Sequence, residues 1–244
     1  MSLYVVSDIH IQGENDPNLK SLINLMTTRA KPKDVIVLAG DIFDIFVGKK
    51  EFFLKIYKKF FEAIKVAENN NVVIHYIEGN HDFLLEKNFK NHSNLKLHSQ
   101  DLTLELGEKK FFIAHGDLAN KKDFGYIILR KILRSQLMKL ILLVLPGEVI
   151  YKLGRYLSNK SEANKKKKGH YLETQIRKIY RTYAKGIMSQ GYDYVILGHC
   201  HDLDQFEYDE NKNYRQYINV GYPPTHKKLL YWSLNSQKIN RIDF

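Results

Sequence analysis

The stretch Val35-Ile-Val-Leu-Ala-Gly-Asp-Ile-Phe-Asp44 decides how the chain is read. Val35 to Ala39 is a short apolar run of the kind that forms a buried strand, and Gly40 interrupts it just before a carboxylate. Asp41 therefore falls at the carboxyl end of a strand, where open α/β sheets place their sites. A Gly-Asp turn after a strand is common by itself, because both residues suit turns.

Its weight comes from recurrence. Four more apolar runs stop at metal-ligating residues: Val5-Val6-Ser7-Asp8-Ile9-His10, Ile77-Glu78-Gly79-Asn80-His81-Asp82, Phe112-Ile113-Ala114-His115-Gly116-Asp117 and Val195-Ile196-Leu197-Gly198-His199-Cys200-His201. Five strand ends thus bring imidazoles, carboxylates and one amide from separate segments. Nitrogen and oxygen donors of this kind suit Mn, Fe or Zn in a two-metal site with a side open to water and substrate. Cys200, the only cysteine, cannot form an internal disulfide, and such a site prefers O and N donors to its sulfur.

Between these motifs the pattern alternates at first. Pro17 to Ala30 reads as a helix with Leu19, Leu22, Ile23 and Met26 on one face. Glu51 to Glu68 reads as a longer amphipathic helix, and Val72 to Ile77 as the next strand, in the manner of a doubly wound sheet. After Asn94 come short strands without helices: Leu95 to His98, Leu102 to Leu106 and Lys110 to Ala114. A similar series closes the chain, at Tyr192 to Leu197, Gln205 to Tyr208, Tyr214 to Val220, Lys228 to Leu234 and Ile239 to Phe244. Two mixed sheets, each covered by helices, are the expected outcome.

The stretch from about 117 to 191 differs. Tyr126 to Leu145 is very apolar but carries Arg130, Lys131, Arg134 and Lys139, and Pro146-Gly147 stops it. Such charges interrupt the run of ~20 apolar residues that a bilayer span needs. It reads instead as one helix or two with a greasy face and a basic one, suited to a membrane interface or to packing on a neighbouring helix. A further helix is expected from about Gly169 to Gln190.

The 244 residues suffice for one large core with an insertion, and the formal charge is +11. The excess is densest at Lys160 and Lys165 to Lys168. It lies on the helical insertion and not along a track interleaved with exposed aromatics, so no nucleic-acid partner is expected. The amino terminus has no basic segment followed by a long apolar run and a cleavage site, so a chain starting at Met1 in the cytoplasm is expected. Nothing in the sequence sets the oligomeric state.

The five motifs together resemble the calcineurin-like metallophosphoesterase superfamily, whose pattern runs D-x-H, G-D-x-x-D, G-N-H-D/E, H and G-H-x-H. The resemblance implies a four-layer α-β-β-α sandwich of two mixed sheets spanning 1–244, with a helical cap inserted at 117–191. It implies two divalent metal ions, Mn foremost and Fe or Zn as alternatives. Asp8, His10, Asp41 and His201 would hold one ion, and Asp41, Asn80, His115 and His199 the other, with Asp41 as the bridge. Asn80, His81 and Asp82 would be catalytic, with His81 protonating the leaving oxygen and Asp82 orienting it.

A closer likeness is to the UDP-2,3-diacylglucosamine diphosphatase family of lipid A biosynthesis. It is carried by His115-Gly-Asp117, Asp123-x-Gly-Tyr126, the apolar helix ending at Leu145-Pro146, Ser158-Asn-Lys-Ser-Glu-Ala-Asn164, and Gly79-Asn-His-Asp-Phe-Leu-Leu85. That family cleaves a UDP-linked diacylated glucosamine at the α-phosphorus, giving UMP and the acylated sugar phosphate, on the cytoplasmic face of the inner membrane. The likeness implies Asn80, His81, Asp123, Tyr126, Asn164 and Lys167 as substrate contacts. Two positions depart from the pattern: His81 stands where many members have Arg, and Leu157 where many have a basic residue. Another phosphodiesterase or phosphatase on the same scaffold is the alternative.

Overall fold

The computed structural model describes residues 1–210 and 213–244, with side chains described outside 161–173 and 209–213. The first part of the chain runs β1 (Ser2–Val6), α1 (Pro17–Asn24), β2 (Val35–Ala39), β3 (Phe46–Val47), α2 (Glu51–Ile56), α3 (Lys58–Asn69) and β4 (Val73–Ile77). Then come β5 (Asp82–Phe83), α4 (Glu86–Phe89), β6 (Leu95–His98), β7 (Asp101–Leu106) and β8 (Lys109–Ala114). Helices α5 (Phe124–Leu133), α6 (Gln136–Val144) and α7 (Gly147–Met188) follow, leading into β9 (Tyr194–Leu197). The chain ends with β10 (Gln205–Glu210), β11 (Asn213–Asn219), α8 (Pro223–His226), β12 (Lys228–Ser233) and β13 (Ile239–Asp243).

Among the described residues two mixed sheets result, beside a short parallel pair of β3 and β5. The first has the order β13-β12-β1-β2-β4-β6 and the second β10-β11-β9-β8-β7. Side-chain alternation along each strand explains why they stack. In β1, β2, β8 and β9 the residues Leu3, Val5, Val35, Val37, Phe111, Ile113, Tyr194 and Ile196 meet in one core between the sheets. Their neighbours Val6, Ile36 and Leu38 face a second core under helices, while Phe112, Val195 and Leu197 face a third core under the end of α7. Three cores separate four layers, the α-β-β-α sandwich.

The helices of the first half do not straddle their sheet as a doubly wound sheet would require. Strands β1, β2, β4 and β6 pair in parallel and in steady order, and right-handed crossovers that never reverse direction leave their helices on one face. Leu19 and Leu22 of α1, and Phe60, Ala63, Ile64 and Ala67 of α3, all enter the same core. The last four follow the i, i+3, i+4, i+7 spacing of a single helical stripe.

Three helices differ from their expected bounds. Pro17 to Ala30 is α-helical only to Asn24 and then widens into a π-turn at Leu25–Arg29, closed by Ala30 N–H on the Leu25 carbonyl at 3.0 Å. The helix expected at 51–68 breaks at Tyr57, which carries no local breaker. Its ring is fully buried, 4.1 Å from that of Phe43, and its hydroxyl donates to the Ile45 carbonyl at 2.9 Å, so packing overrides propensity. The helix expected at 169–190 begins at Gly147, because the Lys, Glu and Ala of the intervening run are helix formers. Among the described residues no helix is long and apolar enough to cross a membrane.

Candidate metal centre

Strands β1, β2 and β4 of one sheet and β8 and β9 of the other end at the same edge of the sandwich, so their five motif loops converge there. Three of these loops, after β1, β2 and β9, bend sharply at the ligand positions themselves. Asp8, His10, Asp41, His199 and His201 all have positive φ, from 52° to 65°. Residues with a β-carbon enter that region at about 1 kcal/mol or more each, and such strain persists where neighbours over-determine it. Here they do. Asp8 N–H donates to the Gly40 carbonyl at 3.0 Å, His10 N–H to the Asp41 carbonyl at 3.0 Å, and His199 N–H to Asp8 Oδ2 at 2.9 Å. Gly79 and Gly198 are needed for close approach, since a β-carbon would meet Asp41 Oδ1 at 2.1 Å in the first case and Asp8 Oδ2 at 2.5 Å in the second.

The side chains gather into neighbouring sets, two of which are made of the expected ligands. Donor atoms of Asp8, His10 and His201 lie within 4.8 Å of one another, as do those of Asp41, His115 and His199. Asp41 joins the sets: its Oδ2 is 3.4 Å from His115 Nε2 and 4.0 Å from His10 Nε2. His115 Nε2 is also 3.1 Å from Asn80 Oδ1 and 3.2 Å from His199 Nδ1. The sequence-derived residues Asp8, His10, Asp41, Asn80, His115, His199 and His201 are therefore all brought to one place.

Divalent ions fit this place on its own chemistry. His10 Nε2 is buried and without a hydrogen-bond partner, as expected of an atom held for a metal. The Nδ1–H of His115 donates to the Ala39 carbonyl at 3.1 Å, which leaves Nε2 aimed at the donor cluster. Burial works against charging His115, yet the adjacent Asp41 outweighs it and holds the imidazole up to about 10. Burial likewise opposes ionisation of Asp8, but His201 and His115 bring it down to about 2. Without an ion, the ring of His115 supplies the positive charge that two buried carboxylates require.

Asp82 does not orient His81. Its buried carboxylate accepts from the N–H groups of Asp41 at 2.9 Å, Gly79 at 2.8 Å and Ile42 at 2.7 Å, and from the Tyr76 hydroxyl. It thus ties the loop after β4 to the loop after β2. Burial and the charge of Asp41 push it up to about 7, against the pull of those donors. An amide cannot accept at both ends, so Asp82→Asn should leave buried N–H groups unpaired at about 1–3 kcal/mol each. Denaturant unfolding of the metal-free protein measures this, and an unchanged midpoint would show that the tie carries no stability.

His81 is oriented by Asp44 instead. Its Nδ1–H donates to the Asp44 carbonyl at 2.7 Å, the Asp44 carboxylate lies 3.9 Å away, and its Nε2 is 4.0 Å from Asp41 Oδ2. Asp44 Oδ2 in turn pairs with Arg155 of α7 at 3.1 Å. Asp44 stood in the opening motif without a role. Helix α5 contributes Tyr126, whose hydroxyl donates to Asp117 and whose ring lies 6.1 Å from that of His199. Asp123 caps α5 by accepting from Tyr126 N–H at 3.0 Å and is itself exposed. Asn164 and Lys167 lie among the residues whose side chains are not described.

The basic face of α5 and α6 is turned inward at two of its cations. Arg130 donates to Asp117 at 2.8 Å, and Arg134 to the Gly79 carbonyl at 2.7 Å, one residue before Asn80. Their pattern in sequence resembled a surface stripe, but only Lys131 and Lys139 are exposed. The apolar residues point the other way: Phe124, Leu137, Leu143 and Val144 are 70%, 68%, 65% and 84% exposed. Cys200 is half-buried, its Sγ accepts from Asn219 Nδ2, and desolvation pushes the thiol up to about 12, which suits a packed thiol and not a ligand.

Residues 1–203 match the family model described as calcineurin-like phosphoesterase. The chain is 26% identical over 200 residues to UDP-2,3-diacylglucosamine hydrolase of Pseudomonas putida, covering 82% of this chain and 81% of that one. It is 23% identical over 243 residues to the protein of the same name from Psychromonas ingrahamii, covering 99% and 97%. Among solved structures, a novel archaeal phosphodiesterase aligns over the whole of both chains with 16% identity and a TM-score of 0.48.

Proposed function

The chain belongs to the calcineurin-like phosphoesterase family, and we propose that within it this protein hydrolyses the diphosphate of UDP-2,3-diacylglucosamine at the α-phosphorus, releasing UMP and 2,3-diacylglucosamine 1-phosphate. That it is a metal-dependent phosphoesterase follows from the family; the substrate, the role of each side chain and Mn as the ion are the proposal. The names of the relatives support the substrate. The observation that carries it is the exposed apolar face of α5 and α6, on helices whose inner side grips the metal loops through Arg130 and Arg134. A soluble cap has no need of such a face, whereas acyl chains or a bilayer surface would cover it.

When bound, two divalent ions supply an activated water and positive charge at the phosphorus. Asp8, His10, Asp41 and His201 would hold one, and Asp41, Asn80, His115 and His199 the other. His81, with Nδ1–H fixed on a carbonyl, presents Nε2 to the departing sugar phosphate and there donates a proton or holds the phosphate oxygen. Tyr126, beside His199, bounds the cleft on the side of the cap. Asn164 and Lys167 remain assigned to substrate from the family likeness alone, as does Asp123, whose carboxylate is occupied as a helix cap.

With the apolar face outward, the protein sits peripherally on the cytoplasmic face of the inner membrane. Attachment comes mainly from apolar area with some help from Lys131 and Lys139, because Arg130 and Arg134 are engaged inside.

The test compares diacylated with deacylated UDP-glucosamine. Each buried CH₂ contributes about 0.8 kcal/mol, so even partly buried chains should raise kcat/KM by orders of magnitude. Leu142 is the wrong place to probe this, since it packs against the main core. Val144→Glu, at a side chain that is almost fully exposed, should depress turnover of the diacylated substrate and leave a small aryl phosphodiester nearly unaffected. Equal kcat/KM for both sugar nucleotides on the unaltered protein would instead favour a general phosphodiesterase.

A further inference from the structure

We propose that Tyr222 is a positioning residue for His201 and sets the affinity of the ion held by Asp8, His10 and His201. Its ring lies parallel to the His201 imidazole, with centroids 4.4 Å apart and 11° between planes, and its edge approaches His10 at 6.0 Å. His201 has need of such a support. His115 is fully buried with Nδ1–H fixed on a carbonyl, whereas the His201 side chain is 40% exposed and follows a backbone turn at φ 59°. Stacking a ring of similar size on its open face restrains rotation about the side-chain bonds and keeps Nε2 3.3 Å from Asp8 Oδ1.

Tyr222 is itself held on several sides. Gly221 precedes it at φ 90°, where a β-carbon would meet Leu203 Cδ2 at 2.6 Å. Tyr222 N–H donates to His226 Nδ1 at 2.9 Å, and its carbonyl accepts from His226 N–H at 2.9 Å. Arg241, on β13, donates to the carbonyls of Asn219 at 2.7 Å and Val220 at 3.1 Å. Asn219 Nδ2 reaches back to the Gly198 carbonyl at 3.0 Å, next to His199. The carboxyl-terminal stretch, beyond the residues matched by the family model, thereby forms a wall against one half of the metal centre.

The proposal rests on the two-metal reading, and the experiment separates the two. Mn²⁺ is titrated into the full-length protein freed of metal, followed by calorimetry and by the electron paramagnetic resonance of unbound Mn²⁺. The unaltered protein should take two ions. In Tyr222→Leu one of them should bind about 10- to 100-fold more weakly, the range for loss of an outer support, with the other unchanged. Tyr222→Phe should stay close to the unaltered protein, because the ring and not the hydroxyl does the holding. Arg241→Lys should weaken the same ion by a smaller factor, and it decides the matter if Tyr222→Leu fails to fold. Unchanged affinities, equal weakening of both ions, or a changed KM with intact metal binding would overturn the proposal. An unaltered protein that binds no ion would overturn the two-metal reading itself.

Discussion

Asp41→Ala should reduce turnover to background and remove at least one of the two ions. Its Oδ2 is 3.4 Å from His115 Nε2 and 4.0 Å from His10 Nε2, one residue from each donor set, so its loss opens both sets at once. Its Oδ1 also accepts from His81 N–H at 2.8 Å, which fixes the loop that presents His81. The effect should appear in kcat with loss of metal, not as weaker substrate binding. Asp41→Asn separates charge from shape, since the amide keeps the volume but not the second anionic oxygen. Metal analysis of the purified variants beside their kinetics provides the check. An Asp41→Ala protein that retains two ions and full activity would contradict the assignment of the bridge.

His81→Ala should lower kcat by roughly 10²–10⁴ while both ions stay bound, as for loss of a general acid. Two features of its surroundings favour this over a ligand role. With Nδ1–H committed to the Asp44 carbonyl, His81 has a single nitrogen, Nε2, left for the centre. Arg155 holds the Asp44 carboxylate from α7, so the residue that orients His81 is itself braced. Donor atoms of His10, Asp44 and His81 also lie within 4.8 Å of one another. Loss of an ion in His81→Ala would therefore reassign His81 as a ligand, and an unchanged kcat would return it to a structural role.

The residues that converge on the candidate metal centre were legible because each sits where an apolar run stops, and a run of five or six residues with buried strand character is a local signal. That these strands are buried on both faces was legible for the same reason, since uninterrupted apolar runs in β1, β2, β8 and β9 declare two buried faces, while the order of the four layers came from the family resemblance. Asp82 was misread because it adjoins His81 in sequence. Successive residues in an extended segment point to opposite sides, so His81 faces the centre while Asp82 faces the loop backbone behind it. Arg130 and Arg134 were read as surface charge because periodicity reveals that a helix has two faces and not which one turns inward. Asp117, the partner that draws Arg130 in, lies in a different motif. Tyr222 could not have been found at all: its contact with His201 depends on a glycine turn and on Arg241 from the last strand.

Hydrolysis of UDP-2,3-diacylglucosamine by the Mn-loaded protein in ¹⁸O-labelled water, with both products weighed by mass spectrometry, tests the central claim most directly. Water attacking the α-phosphorus must leave its oxygen on UMP and none on the acylated sugar phosphate. One labelled oxygen in UMP and an unlabelled lipid product is the predicted result; label in the lipid product, or no cleavage of this substrate by a protein that carries both ions, would contradict it.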